Sequence, residues 1–246
     1  MRILLLADIH GNFPALQAIT AYFSGTTFAH IINCGDSLVY GPFANETIAW
    51  LEEHGAISIL GNTDKKVIKL LRGESFAKPR REEKRVMYTS TAAALTMQNG
   101  KRLCSLPIAT SLTINQPCGP DSAPITIGIF HGSPAEPHEF LFADTPDRRF
   151  QELAESCPYP IVVTGHSHTP YVKQINGCLF INPGSAGRMF DGNPAACCAV
   201  LEFSTAGPIV QHHRIPYDTN RLAVAIRQAG LPEIYATMFA TGKKLN

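Results

Sequence analysis

Asp8, His10, Asp36, Asn62, His131, His166 and His168 are the side chains whose types and spacing could do chemistry. Carboxylate, amide oxygen and imidazole are metal donors, and here they recur beside glycine: Gly35-Asp36, Gly61-Asn62 and Gly165-His166-Ser167-His168. Singly, each has a plain structural explanation. Asp36 could form a turn, Asn62 could cap a helix, and a lone histidine after a strand is more often hydrogen-bonded structure than a ligand. Jointly the seven could fill two coordination shells. In an extended segment residues i and i+2 share a face, so Asp8 and His10 can address one centre, and His166 and His168 can serve adjacent ions. Mixed carboxylate and imidazole donors suit Mn, Fe, Zn or Ni better than Mg or Ca, which prefer oxygen-only shells.

The elements that must position these residues alternate between strands and helices. Ile3–Ala7 is a short apolar run bounded by an acid and Gly11, the pattern of a strand buried on both faces. Pro14 suits the first turn of a helix running to Phe23, with Leu16, Ile19 and Phe23 on one face. Ile31–Cys34 reads as a strand, Ala44–His54 as a helix and Ala56–Leu60 as a strand, so parallel β-α-β units are expected. Lys65 to about Leu106 reads as a helical insert. Its charge run, Lys78 to Arg85, is either solvated surface or a lid whose Arg80 and Arg81 reach substrate. Ala109–Ile114 and Ile125–Phe130 flank a Pro/Gly-rich loop, Asn115 to Ser122. A helix over Pro146–Ser156 leads to strand Ile161–Thr164. Tyr171–Ile175 and Cys178–Ile181 form a hairpin turning on Asn176-Gly177. Strands Ala196–Phe203 and Ile209–Ile215 follow, then a helix over Asn220–Gln228. The expected architecture is a single domain over residues 1–246: two packed mixed β-sheets flanked by helices, a four-layer α/β/β/α sandwich. The metal-capable residues then fall at five strand ends, where α/β sheets bind ligands, and independent turn residues have no reason to recur there.

Composition sets the bounds. The chain has 246 residues, 45% hydrophobic and 17% charged, with a formal net charge of +1. That supports an ordinary folded core and argues against a stable nucleic-acid partner, while a small phosphate-bearing substrate stays open. The seven cysteines are odd in number, form no C-x-x-C pair and include Cys197-Cys198 in an apolar run. Free thiols and a cytoplasmic location are the expectation. The N-terminal apolar run is too short for a signal-peptide core, and no membrane partner is expected. Rival motifs are absent: no His-Asp doublet, no Asp-His after the H-x-H, no P-loop and no G-x-S-x-G elbow.

The ordered motifs resemble those of the calcineurin-like metallophosphoesterases. D-x-H, G-D, G-N-x-[DE], H and G-H-x-H correspond to Asp8-Ile9-His10, Gly35-Asp36, Gly61-Asn62-Thr63-Asp64, His131 and Gly165-His166-Ser167-His168. Gly35 to Pro42, Phe130 to Pro134 and Asn182-Pro183-Gly184-Ser185 look like the small prokaryotic phosphodiesterase branch, over roughly residues 1 to 215. The resemblance implies two divalent ions, one taking Asp8, His10 and His168, the other Asn62, His131 and His166, with Asp36 bridging. It implies hydrolysis of a small phosphate ester, a phosphodiester by preference, by a metal-bound hydroxide. Asp36, Asn62, Thr63 and His131 then stand nearest the reaction.

Two departures bear on this. Many members of the family carry histidine where this chain has Thr63, and threonine is a poor general acid at neutral pH. Gly187 is followed by Arg188-Met189-Phe190, where the branch often has a Pro-Arg pair. The alternatives to a phosphodiesterase are a metal-binding regulatory module with little turnover, or a protein phosphatase or dinucleoside polyphosphate hydrolase.

Overall fold

The computed structural model describes residues 1–115, 123–205 and 207–246. The Pro/Gly-rich loop expected from Asn115 to Ser122, Cys118 included, therefore falls almost wholly outside the described residues.

The first strand, β1 (Arg2–Leu6), is buried on both faces, and its alternation sorts two cores. Ile3 and Leu5 meet Ile127, Ile129, Val163 and Ile181 of the second sheet. Leu4 and Leu6 face Leu16 and Ile19 of helix α1 (Phe13–Tyr22) and Trp50 of helix α2 (Ala44–Glu53). Fully burying each such aliphatic side chain is worth about 1.5–3 kcal/mol, which specifies the register of this strand strongly.

Strand β2 (His30–Asn33) pairs parallel with β1 and with β3 (Ile57–Ser58). The third strand is shorter than the expected Ala56–Leu60, because Leu60 N–H leaves the sheet and donates to Pro107 carbonyl (2.8 Å). Helices α3 (Asn62–Leu71), α4 (Glu82–Ala94) and α5 (Met97–Ser105) form the helical stretch. The second sheet contains β4 (Ala109–Ile114), β5 (Ile125–Phe130), β6 (Ile161–Val163), β7 (Tyr171–Ile175) and β8 (Cys178–Asn182). Helix α6 (Asp147–Ser156) covers its outer face through Phe150 and Leu153. Strands β9 (Ala196–Ser204) and β10 (Gly207–Ile215) return to the first sheet.

The sheet orders are β10-β9-β1-β2-β3 and β4-β5-β6-β8-β7. Each contains parallel and antiparallel pairs, so both are mixed. The inner faces share one apolar core, and helices cover the outer faces: the expected sandwich. The parallel strands β1, β2 and β3 of one sheet and β5, β6 and β8 of the other end at the same edge.

Helices α7 (Thr219–Gln228) and α8 (Glu233–Thr241) close a fourth cluster with α3, α4 and the Leu38–Tyr40 loop. The sequence reading lacked α8. Its Tyr235, Ala236, Met238 and Phe239 form one buried face, but the exposed Thr237 and Ala240 opposite carry no charge, so the apolar/polar contrast that would mark it is weak. Among the described residues, no helix is long and apolar enough to cross a membrane.

Candidate metal centre

Local backbone geometry aims the donors, and it differs from the extended alternation expected for D-x-H and H-x-H. Asp8, His10, Asp36, His166 and His168 all adopt positive φ, between 51° and 67°. A non-glycine residue in this left-handed region is strained by about 1–2 kcal/mol, so five such residues together mark a site whose surroundings hold them in place. Hydrogen bonds from Asp8 N–H to Gly35 carbonyl (3.0 Å), His10 N–H to Asp36 carbonyl (3.0 Å) and Gly165 N–H to His131 carbonyl (2.9 Å) lock adjacent loops together. Gly61 is needed by space: a Cβ there would lie 2.1 Å from Asp36 Oδ1.

Two donor groups result. Asp8, His10 and His168 offer ligand atoms within 4.8 Å of one another, and so do Asp36, His131 and His166. Asn62 joins the second, its Oδ1 lying 3.3 Å from His131 Nε2. Asp36 spans both, with Oδ1 3.5 Å from His131 Nε2 and Oδ2 4.0 Å from His10 Nε2. All seven sequence-derived donors thus meet at one strand edge.

The tautomers follow from the hydrogen bonds. A carbonyl can only accept, so the Nδ1–H groups of His10, His131 and His168 donate to the carbonyls of Leu38 (3.3 Å), Cys34 (2.8 Å) and Arg188 (2.5 Å). Each leaves its Nε2 lone pair facing the centre, the arrangement by which an outer partner orients a metal-binding imidazole. Burial lowers the histidines' basicity first of all, to about 3 at His10 and about 4 at His166, so both stay neutral near pH 7.

The residues fit divalent cations. His10 Nε2 and His168 Nε2 lie 3.3 Å apart, two lone pairs that repel unless a cation lies between or beside them. Asp8 Oδ1 and His166 Nε2 are buried without a hydrogen-bond partner, a costly state for polar atoms unless something coordinates them. Three buried carboxyls also crowd here. Burial and then the Asp36 charge push the Asp8 carboxyl well up and Asp64 to about 7. At Asp36 burial raises the carboxyl, but His131, His10 and the Thr63 N–H together hold it at about 2. Cations would relieve this repulsion.

Two residues read from the motifs have positioning contacts. Asp64 accepts N–H bonds from Gly61 (3.0 Å), Ser37 (3.2 Å) and Leu38 (3.1 Å), fastening α3 to the Asp36 loop. Thr63 donates its backbone N–H to Asp36 Oδ1 (2.7 Å) and its hydroxyl to Leu38 carbonyl (3.1 Å).

The donors open into a cleft of about 130 Å³ with features the motifs did not announce. Exposed Phe140 stacks on His166 at 3.9 Å, and Phe190 stacks on His168 at 4.5 Å. Arg188, Lys84 and Lys244 complete the walls. Of the charge run only Lys84 reaches the cleft; Arg80 and Arg81 are exposed, and Arg85 Nη1 donates to the carbonyls of Phe76 (3.0 Å) and Pro79 (3.2 Å).

Comparison with known proteins agrees with this geometry. The family model described as calcineurin-like phosphoesterase superfamily domain matches residues 1–206. An uncharacterised protein of Methanocaldococcus jannaschii, MJ0912, is 27% identical over 249 residues, covering 94% of each chain. A metallophosphoesterase from Sphaerobacter thermophilus superposes with a TM-score of 0.76 at 27% identity, covering 98% of this chain and 100% of its own. The hypothetical protein PH1004 of Pyrococcus horikoshii OT3 shares the fold, with a TM-score of 0.83 at 19% identity over 99% of both chains.

Proposed function

The chain belongs to the calcineurin-like phosphoesterase superfamily, and on that premise we propose that it is a two-metal hydrolase of small phosphate esters, with phosphodiesters preferred. The observation that carries this is the single carboxylate, Asp36, standing between two groups of inward-facing donors. Two divalent ions, when bound, supply Lewis acidity at the phosphoryl oxygens and an acidified water near neutral pH.

The protein's own groups do the rest. The imidazoles of His10, His131 and His168 turn their Nε2 atoms toward the centre because backbone carbonyls accept from Nδ1–H. Asp8 and Asp36 neutralise the charge that the ions bring, and the Asn62 amide stands at the mouth of the second group. Phe140 and Phe190 lie against histidines of different groups, giving one apolar surface for each organic substituent of a diester. That pairing supports the diester preference.

Thr63 supports a second reading, a metal-binding module with little turnover, because its hydroxyl is committed to Leu38 rather than to a departing alkoxide. Hydrolysis of bis(4-nitrophenyl) phosphate and 4-nitrophenyl phosphate by Mn-loaded protein, chelated protein and Asp36→Asn separates the two. The hydrolase reading expects turnover that needs metal and Asp36, faster on the diester. Two bound metals with no turnover of either ester would favour the module.

A further inference from the structure

Arg188 is the buried charge that the metal centre does not use. It is only 7% exposed, yet among the described residues no carboxylate lies within ion-pairing distance of its guanidinium. Instead the guanidinium lies over the rings of Tyr40 (3.9 Å), Phe190 (5.0 Å) and Tyr235 (5.7 Å), and Nη2 donates to Met238 Sδ at 3.5 Å. Nε is buried with no hydrogen-bond partner. Aromatic faces hold the cation's orientation but leave its in-plane N–H groups underused. Buried charges are ordinarily paired, so this one calls for an anion from outside the chain.

Its surroundings say where that anion would sit. Tyr40 also touches His10 (5.2 Å between rings), and Phe190 stacks on His168, so the guanidinium lies one ring away from the first donor group. Lys84 of α4 and Lys244, just past α8, line the same cleft. Burial, and then the positive charges of Arg188, Lys244 and Arg81, depress the Lys84 ammonium, with Glu83 as the opposing charge. Glu83 is itself shared with Arg81 at 3.9 Å. The tail bearing Lys244 is held by Gly192 N–H donating to Gly242 carbonyl (2.9 Å), and Lys244 Nζ lies 5.7 Å from the Phe190 ring. Three cations from separate parts of the chain therefore converge beside the donors, and among the described residues none of the three is ion-paired with a carboxylate.

We propose that Arg188, Lys84 and Lys244 form a subsite for a second anionic group of the substrate, a phosphate adjacent to the one hydrolysed. This rests on the phosphoesterase reading for the reaction and not for the anion binding. Within the diesters, the preferred substrate class is then one whose hydrolysed phosphate is joined to a second phosphate through an anhydride. A planar guanidinium offers paired N–H donors to phosphate oxygens, and the two ammonium groups supply mobile charge around it.

The test compares two chromogenic esters on Mn-loaded protein: the 4-nitrophenyl ester of a nucleoside monophosphate and that of the corresponding nucleoside diphosphate. The second is expected to have at least tenfold higher kcat/KM. The Lys84→Ala/Lys244→Ala double variant, with Arg188→Gln as a separate variant, should erase most of that ratio through KM at unchanged metal content. Arg148→Ala, on the exposed face of α6, controls for loss of a positive charge elsewhere. A ratio unchanged in both variants overturns the subsite, and a loss in kcat alone on both esters reassigns Arg188 to the scissile phosphoryl group. Turnover of neither ester sinks the hydrolase reading. The subsite is then judged by titrating the chelated 246-residue chain with inorganic pyrophosphate and inorganic phosphate. Tighter binding of pyrophosphate, lost in the double variant, sustains it; equal weak binding of both anions by all proteins overturns it.

Discussion

At the scale of the residue, Asp36 carries the account, because its two oxygens face different donor groups. Asp36→Asn keeps the size and the Thr63 N–H contact but removes the charge that would join two cations. Retained metal should fall below two per chain and turnover by on the order of 10²–10³-fold, comparable to removing one preorganised charge-stabilising group. Asp64 sets a pH signature. Its carboxyl, raised to about 7, holds a proton at pH 6 that divalent cations would expel, while His10, at about 3, is already neutral there. Mn binding at pH 6 should therefore release protons, measured calorimetrically in buffers of different ionisation enthalpy. The share from Asp64 should shrink toward pH 8 and be missing in Asp64→Asn, leaving the release from the raised Asp8 carboxyl. Thr63 sets a leaving-group signature. With its hydroxyl on Leu38, aryl esters should be turned over far better than alkyl esters, and Thr63→His should narrow the gap within the ~10²–10⁴-fold range of general acid assistance. A shallow dependence of log rate on leaving-group acidity in the unmodified protein would show that another group delivers the proton.

At the scale of the element, the strand-end loops are the precise parts. Gly187→Ala would place a Cβ 1.7 Å from Ile9 carbonyl oxygen, and backbone cannot step aside as a side chain can. That variant should lose about 1–3 kcal/mol or more in denaturant unfolding, along with metal retention. Arg80→Ala/Arg81→Ala, by contrast, should leave kinetics unchanged, since both side chains face solvent. These cases show what the sequence makes legible. Asp8 and His10 can be picked out by type, spacing and a neighbouring strand, but their left-handed backbone cannot. Alternation along an extended chain gives the right convergence for a different geometric reason. Val39 and Tyr40, also at positive φ, carry no glycine signal at all. Lys84 was hidden in a run of like residues, and Lys244 stands far from every motif; only the packing of α4 and α8 brings them together.

At the scale of the whole molecule, the fold was legible where burial acts through short-range pattern. The doubly buried β1 and the hairpin at Asn176-Gly177 are examples. It was not legible where tertiary packing decides, as at α8 and the shortened β3. Two sheets share a core, and their parallel strands end at a common edge, so donors from both meet only in the folded chain. Metal binding and folding should therefore be linked. Free metal at 100 times its dissociation constant adds about 2.7 kcal/mol per site, which for a chain of this size raises the melting temperature by several degrees. The shift should vanish with chelator and shrink in Asp36→Asn. The most direct measurement is the stoichiometry of Mn bound to the chelated 246-residue chain, followed by titration calorimetry and checked by elemental analysis. Two ions per chain are expected, with Asp36→Asn retaining fewer. No retained metal, or an unchanged two in the Asp36→Asn protein, would contradict that expectation.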